Sequence, residues 1–236
     1  MSIFHFKQFS ILQKDAAMRV GTDAMVLGAL IDPSEKKHGL DIGAGTGVLS
    51  LMTAQNNVEI LVDAVELDEA SFNECKQNFE TSSWNERLTI YHTDFLKFTP
   101  TNKYDLIFSN PPYYQTTLPN EDARSANAKH VQTLSPLGLF KKAESLLTER
   151  GVLWIIVPFS DLENWCHAAK SCGLYLTCQV QLVGRRNKAP NRAVLCFERV
   201  EVMINQQQLT VREEDGKYTQ EYIDLTVDYH ATDLSK

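Results

Sequence analysis

The sequence predicts an α/β fold: a mostly parallel sheet of seven strands with helices on both faces and an antiparallel hairpin at its C-terminal end. From residue 38 onward, apolar runs typical of strands alternate with amphipathic stretches typical of helices. Strands joined by helices of this length lie parallel, with right-handed crossovers. The chain has 236 residues, 43% hydrophobic and 22% charged, and is long enough to bury one full core. These features together predict a single Rossmann-like domain.

Each predicted element follows from its local pattern. The predicted strands are 39–43, 58–67, 87–94, 104–110, 152–158, 174–183 and 192–202, and the helices between them are 46–56, 68–80, 136–149 and 160–172. Gly151 marks the expected end of the 136–149 helix. No helix-length segment separates the last two strands, so we expect them to form the hairpin, closed by the polar loop GRRNKAPN. The long polar segment 111–133 indicates a functional loop.

Composition excludes several classes of protein. No apolar window reaches the roughly 18 residues of a membrane span, and the start of the chain lacks the apolar core of a secretory signal. The five cysteines include no C-x-x-C pair, so we expect reduced thiols packed as small hydrophobic side chains. We therefore expect a cytoplasmic protein that carries no metal.

Charge is unevenly distributed along the chain. The net charge of −7 argues by itself against nonspecific binding of nucleic acid. Residues 181–200 nevertheless carry five basic residues against one acid, a local charge of +4, whereas 201–236 carry three basic residues against eight acids, a local charge of −5. The hairpin loop would bring together four of the basic residues, Arg185, Arg186, Lys188 and Arg192, as a candidate RNA-binding surface. The simpler interpretation, a solvated sheet edge, stays open.

The first motif with chemical content follows the first predicted core strand. It reads Asp41-Ile-Gly43-Ala-Gly45-Thr-Gly47, and its glycines allow a tight turn and close approach of a ligand. The dinucleotide fingerprint G-x-G-x-x-G is not met, because Val48 stands where its third glycine belongs. A glycine loop preceded by an acid suits a cofactor without a pyrophosphate. S-adenosylmethionine is such a cofactor, and its ammonium group favours a nearby carboxylate.

Two acids at the ends of the next strands extend this site. Glu66 ends the second predicted core strand, where a carboxylate can accept hydrogen bonds from both ribose hydroxyls. Asp94 ends the third, where it can accept from an adenine amino group while Phe95 packs against the ring. Each acid alone is equally consistent with an ordinary surface position, and it is their joint occurrence with the glycine loop that indicates a cofactor crevice.

The tetrapeptide Asn110-Pro111-Pro112-Tyr113 follows the fourth predicted core strand and indicates the reaction. A nitrogen conjugated to a π-system is a poor nucleophile, because its lone pair is delocalised. The Asn110 side-chain oxygen and the Pro111 carbonyl can accept its two N–H protons, which directs the lone pair towards a methyl donor and stabilises the developing positive charge. The prolines stiffen the turn, and Tyr113 offers a ring for stacking a planar target.

With these motifs in this order, the chain resembles the class I S-adenosylmethionine-dependent methyltransferases that methylate amino groups. The segments FKQF, MRVGTDAMVLGA, LDIGAGTG, AVEL, SNPPYY and GKYTQEYIDLTVDYH are similar to those of the bacterial tRNA1(Val) (adenine(37)-N6)-methyltransferase family. The resemblance covers most of the chain, and VGTD and YTQEY…DY are its most specific parts. It implies N6-methylation of the adenosine next to the anticodon of a valine tRNA.

The resemblance also implies site residues and a partner. The implied cofactor residues are Asp41, Gly43, Gly45, Gly47, Glu66 and Asp94, with Thr22 and Asp23 at the methionine end, and the target amino group lies at Asn110 to Tyr113. Thr22 and Asp23 are equally open to interpretation as an N-cap pair for a helix over 24–31. We expect a monomer that binds tRNA, with an N-terminal extension (1–37), a catalytic core (38–204) and a C-terminal extension (205–236).

Other enzymes use the same tetrapeptide. Those that methylate glutamine in release factors carry a helical N-terminal domain, for which the 40 residues before Asp41 are too few. DNA adenine methyltransferases usually need a domain that reads and flips a base in the duplex, and the chain has no insertion of that length. A compact enzyme suits a base that is already unstacked, such as one in an anticodon loop. Guanine-N2 methyltransferases of ribosomal RNA remain the nearest alternative in chemistry, and a catalytically silent RNA-binding module is the alternative from another class.

Overall fold

The computed structural model describes residues 2–14, 16, 18–111 and 134–235. The strands in these ranges are β1 (Ile3–His5), β2 (Ser10–Leu12), β3 (His38–Ile42), β4 (Leu61–Glu66), β5 (Leu88–His92), β6 (Tyr104–Ser109), β7 (Leu147–Pro158), β8 (Tyr175–Val183), β9 (Arg192–Glu198) and β10 (Asn205–Thr210). The helices are α1 (Thr22–Leu30), α2 (Val48–Asn56), α3 (Glu69–Thr81), α4 (Pro136–Leu146), α5 (Leu162–Ser171) and α6 (Gln220–Thr226). Among these residues, no helix is long and apolar enough to cross a membrane.

The predicted mostly parallel sheet is confirmed, and the described part of the chain contributes eight strands to it rather than seven. Its order is β10-β8-β9-β7-β6-β3-β4-β5, and only β9 runs antiparallel to its neighbours. The predicted hairpin is β8 and β9, whose connection covers residues 184–191. The eighth strand, β10, lies parallel to β8 at the sheet edge. Its sequence NQQQLT exposes four polar side chains in succession, so it shows none of the apolar alternation by which strands are recognised.

Several boundaries differ from those expected. Strand β4 begins at Leu61 rather than at residue 58, and β5 ends at His92, two residues before Asp94. Gly151 does not end a helix but lies inside β7, because residues from Leu147 onward already pair with β6. A Cβ on Gly151 would lie 2.9 Å from the Tyr104 carbonyl oxygen, at an irregularity in the β6–β7 register. The glycine therefore permits close backbone approach between two strands.

Helices cover both faces of the sheet, as predicted. The apolar core on one face includes residues from α1, α2, α3 and the N-terminal strands, and the core on the other face includes residues from α4 and α5. Strands β3 to β8 and β10, β9 excepted, all end at the same edge, and β9 begins there. This carboxyl edge carries the glycine loop, Glu66, Asn110 and the β8–β9 hairpin loop, and it is the edge at which ligands of open α/β sheets bind.

Candidate functional site

The glycine loop, residues 43–47, forms a tight turn between β3 and α2. Gly43, Gly45 and Gly47 have φ values of 70°, 56° and 80°, in the left-handed region that favours glycine. A Cβ on Gly47 would lie 2.5 Å from Phe79 Cε1 and 2.7 Å from Cys75 Sγ, so this glycine allows α3 to pack against the loop. A Cβ on Gly43 or Gly45 would meet no atom of the described residues within 4 Å. The loop is thus packed on one side and open where a ligand could approach.

Asp41 lies directly beneath this loop and is fully buried. Its Oδ2 accepts a hydrogen bond from Ser50 Oγ at 2.7 Å, whereas Oδ1 has no hydrogen-bond partner among the described residues. Burial, opposed by the hydrogen bond from Ser50 and assisted by the nearby charge of Glu66, raises the pKa of Asp41 to about 7. A desolvated carboxylate with an unused acceptor favours a positive charge nearby. The donor set therefore fits a cationic cofactor such as S-adenosylmethionine, with Asp41 acting from below the loop.

Glu66 connects the end of β4 to the glycine loop. Its Oε2 accepts a hydrogen bond from the backbone N–H of Gly45 at 2.8 Å, and its Oε1 accepts from the N–H groups of Leu67 and Asp68 at 2.8 and 2.9 Å. Each carboxylate oxygen can accept about two hydrogen bonds, so Oε2 keeps capacity for a ligand hydroxyl. The structure thus gives Glu66 a second task that the sequence did not show, which is to hold Gly45 in place.

Asp94 and Phe95 follow β5 at the same edge. Asp94 caps a 3-10 turn over Phe95–Lys97, and its Oδ1 accepts a hydrogen bond from the Leu96 N–H at 2.9 Å. Phe95 is buried in the apolar core on the α4–α5 face of the sheet. The side chain of Asp94 therefore takes a fixed position beside the end of β5, with one oxygen engaged by the turn.

Asn110 leaves β6 next to the glycine loop. Ile42 and Ser109 are register partners in the parallel pair β3 and β6, and Ser109 Oγ donates to the Ile42 carbonyl oxygen at 2.7 Å. Because neighbouring strands lie about 4.8 Å apart, Gly43 and Asn110 emerge side by side. Pro111, which follows it, is buried. Pro112 and Tyr113 lie outside the described residues.

Thr22 and Asp23 do not cap α1. The N-cap is Gly21, and it makes no side-chain capping hydrogen bond, so the N-cap interpretation of the pair is wrong. Asp23 Oδ2 instead accepts a hydrogen bond from Arg192 Nε at 2.9 Å. This pair joins the first turn of α1 to the first residue of β9, and no sequence pattern links two residues so far apart in the chain.

The basic hairpin loop lies at the carboxyl edge, facing an acidic turn over residues 213–215. The side chain of Arg186 pairs with Glu213, with Nη2 to Oε1 at 2.7 Å, and its N–H donates to the Arg212 carbonyl oxygen at 2.8 Å. Asn187 donates to Glu214. Arg185 and Lys188 are exposed. The local charge of +4 is therefore partly offset by acids that the sequence places far away.

A family model and similar solved structures show to which class of protein the chain belongs. A family model described as methyltransferase small domain matches residues 15–162, which is more than half of the chain. The fold agrees. A predicted O-methyltransferase from Agrobacterium tumefaciens superposes with a TM-score of 0.70 at 17% identity, covering 89% of this chain and 98% of that one. A ribosomal protein L11 methylase from Lactobacillus delbrueckii gives 0.53 at 17% identity, over 75% and 77% of the two chains. The chain has a methyltransferase fold with its glycine loop at the expected edge.

Curated relatives carry names that specify a reaction and a substrate. A protein of Tolumonas auensis named tRNA1(Val) (adenine(37)-N6)-methyltransferase is 38% identical over 230 residues, covering 96% of each chain. A protein of the same name from Flavobacterium johnsoniae is 36% identical over 232 residues, covering 97% of this chain and 99% of its own. The chain therefore belongs to the tRNA1(Val) (adenine(37)-N6)-methyltransferase family.

Proposed function

We propose that this protein transfers a methyl group from S-adenosylmethionine to N6 of adenosine 37 in tRNA1(Val), in the cytoplasm. The observation that carries the proposal is the adjacency of Asn110 and the glycine loop at the ends of the register-paired strands β3 and β6. The names of relatives that match nearly the whole chain support the choice of target.

The proposed cofactor crevice uses three acidic residues at the carboxyl edge. Asp41 lies buried beneath the glycine loop, where a bound cation would favour its ionised form. Glu66 would accept from the ribose hydroxyls, and Asp94 would accept from the adenine amino group. When bound, S-adenosylmethionine supplies an electrophilic methyl group on a sulfonium. The open sides of Gly43 and Gly45 leave room for it, since no Cβ occupies them.

Asn110 and Pro111 act on the target amino group. Their side-chain and backbone carbonyl oxygens accept the two N–H protons of N6, which orients its lone pair and stabilises the charge that develops on nitrogen. No strong base is required, because the proton can leave after the methyl group has moved. In-line placement of nitrogen, methyl and sulfur supplies much of the rate. Tyr113, in this proposal, stacks on the adenine.

The test is methyl transfer to tRNA from a strain that lacks this gene, with labelled cofactor and analysis of the digested nucleosides. We expect label in N6-methyladenosine from a single valine tRNA, and none in tRNA from the parent strain, which is already methylated. Label in N2-methylguanosine, or in release factor added to a parallel reaction, would contradict the choice of target. Absence of transfer to any RNA would favour a silent binding module.

A further inference from the structure

Helix α3 holds the N-terminal part of the chain beside the glycine loop. Asn78 is buried, and its Oδ1 accepts a hydrogen bond from the Leu12 N–H at 2.8 Å while its Nδ2 donates to the Leu12 carbonyl oxygen at 3.0 Å. The same Nδ2 donates to the carbonyl oxygen of Thr46, in the glycine loop, at 2.9 Å. One side chain thus links the N-terminal segment and the loop.

Glu74, one turn earlier on the same face of α3, makes the next contacts. Its buried carboxylate accepts hydrogen bonds from the N–H groups of Lys14 at 2.6 Å and Ala16 at 2.8 Å. The i, i+4 spacing of Glu74 and Asn78 places them in one row along the helix. Cys75 and Phe79 form the neighbouring row, and these two side chains pack against Gly47.

The far end of this segment is fixed at α1. The Val20 N–H donates to Oε1 of the buried Gln13 at 2.8 Å, and Asp23 is paired with Arg192 at the carboxyl edge. Helix α1 packs against α2, whose N-cap is Gly47. The described residues between Leu12 and Gly21, which we call the N-terminal connection, therefore lead from α3 to α1, and at Leu12 they share the side chain of Asn78 with the glycine loop.

We infer that Glu74 and Asn78 are positioning residues that hold the N-terminal connection against the glycine loop and thereby set the affinity for S-adenosylmethionine. The inference rests on the proposed function, because it takes the loop to be the cofactor site. Both side chains are buried and bond backbone groups, so their effect on the cofactor passes through the connection and through Thr46. The carboxylate of Glu74 matters because a glutamine there would offer one acceptor and an N–H₂ group to two N–H donors.

Two measurements on full-length Glu74→Gln and Asn78→Ala variants test the inference. The first is the Kd of S-adenosylhomocysteine by calorimetry, which needs no RNA, and we expect it to rise about tenfold in each variant, within the usual range of coupling between two sites. The second is trypsin cleavage after Lys14 and Arg19, which should be faster in both variants. In the wild type, S-adenosylhomocysteine should slow this cleavage, because binding and ordering of the connection are linked.

Leu139→Ala is the matched control. Leu139 is fully buried in the core on the opposite face of the sheet, so its truncation leaves a cavity and lowers the Tm without touching the connection. At a temperature where all variants are folded, we expect it to keep the wild-type Kd. The kinetic signature is equally specific: Glu74→Gln and Asn78→Ala should raise KM for the cofactor, and saturating cofactor should restore most of kcat.

Each outcome decides between distinct alternatives. A wild-type Kd in both variants, with faster cleavage after Lys14 and Arg19, would overturn the inference by separating the connection from the cofactor site. Unchanged cleavage would overturn it by showing that these side chains do not hold the connection. An equal rise in Kd for Leu139→Ala would reduce the effect to general destabilisation. Failure of the wild type to bind S-adenosylhomocysteine would instead contradict the proposed function.

Discussion

Asp23 and Arg192 form an ion pair, 2.9 Å from Oδ2 to Nε, that ties the first turn of α1 to the first residue of β9. The two side chains are 29% and 30% exposed, so the pair is only partly shielded from water. The sequence predicts that Arg192 contacts RNA, and the structure gives its guanidinium a carboxylate partner at the carboxyl edge of the sheet. Substitution of a residue that fixes α1 should lower stability, whereas substitution of one that binds phosphate should weaken the binding of RNA.

We expect a double-mutant cycle of Asp23→Asn and Arg192→Gln to show this anchoring. Each single variant should lower the free energy of unfolding by about 1 kcal/mol, and the two effects should be non-additive, since each substitution removes the same ion pair. The measurement is urea unfolding of the four proteins. The alternative is that Arg192 binds RNA and does not anchor α1. In that case the two changes in unfolding free energy should add, Arg192→Gln should weaken tRNA binding, and Asp23→Asn should strengthen it.

In the hairpin loop, substitutions of Arg186 and of its partner Glu213 should change the affinity for tRNA in opposite directions. Because Glu213 engages Arg186, a phosphate must compete with that carboxylate. We expect Arg185→Gln and Arg186→Gln to weaken tRNA binding, and each lost phosphate contact to lower the log–log salt slope by about 0.7 to 0.9. Glu213→Gln should strengthen binding.

The control for the loop is Lys170→Gln. Lys170 lies in the last turn of α5, at the opposite edge of the sheet, and its loss changes net charge by the same amount. Binding titrations over a range of salt concentrations compare the four variants. Equal effects of Lys170→Gln and Arg186→Gln would mean that tRNA senses only net charge.

Asp41 should make stability depend on pH. Its carboxyl is protonated in the folded protein up to about pH 7 but in the unfolded chain only up to about 3.8, so the folded state binds more protons between these values. The free energy of unfolding should therefore fall as pH rises through this window, by about 4 kcal/mol in total at about 1.4 kcal/mol per pH unit.

The variant Asp41→Asn isolates this effect, since a neutral amide does not titrate. We expect Asp41→Asn to be more stable than wild type at pH 8 and equal to it near pH 4, and to bind the cofactor more weakly at neutral pH. Urea unfolding of both proteins from pH 4 to 8 checks the first expectation, and calorimetry checks the second. Parallel stability curves would show that Asp41 keeps an ordinary pKa.

Glu66→Ala should weaken cofactor binding for two reasons. It removes the acceptor proposed for the ribose hydroxyls, and it leaves the Gly45 N–H without its carboxylate partner. Hydrogen bonds to a charged group contribute about 1.5–3 kcal/mol, which corresponds to roughly 10- to 150-fold in Kd. Glu69→Ala, an exposed acid in the first turn of α3, is the matched control for calorimetry. An unchanged Kd in Glu66→Ala would remove Glu66 from the site.

The sequence is sufficient to predict those parts of the fold and of the site that depend on residues close together in the chain. The glycine loop, the strand ending at Glu66 and the strand preceding Asn110 all lie as predicted, because apolar periodicity and glycine conformation decide them. Contacts between residues far apart in the chain could not be predicted from the sequence. Arg186 meets Glu213, and Glu74 meets Lys14, through folding alone. Strand β10 was missed because its pairing to β8 outweighs a polar, exposed sequence.

The turnover of Asn110→Ala is the sharpest test of whether the protein methylates an amino group. The contact from Asn110 to the target nitrogen strengthens as charge develops, so its loss should lower kcat more than tRNA affinity. By analogy with removal of one oxyanion-hole donor, we expect a loss of about 100- to 1000-fold. Tyr113→Ala should differ by raising KM for tRNA as well.

The measurement is steady-state methylation of valine tRNA by Asn110→Ala, with a thermal melt beside it. We expect a folded protein with near wild-type Tm, intact tRNA binding and a turnover lowered at least 100-fold. A folded Asn110→Ala enzyme that methylates tRNA at nearly the wild-type rate would contradict a role of Asn110 in amino-group methylation.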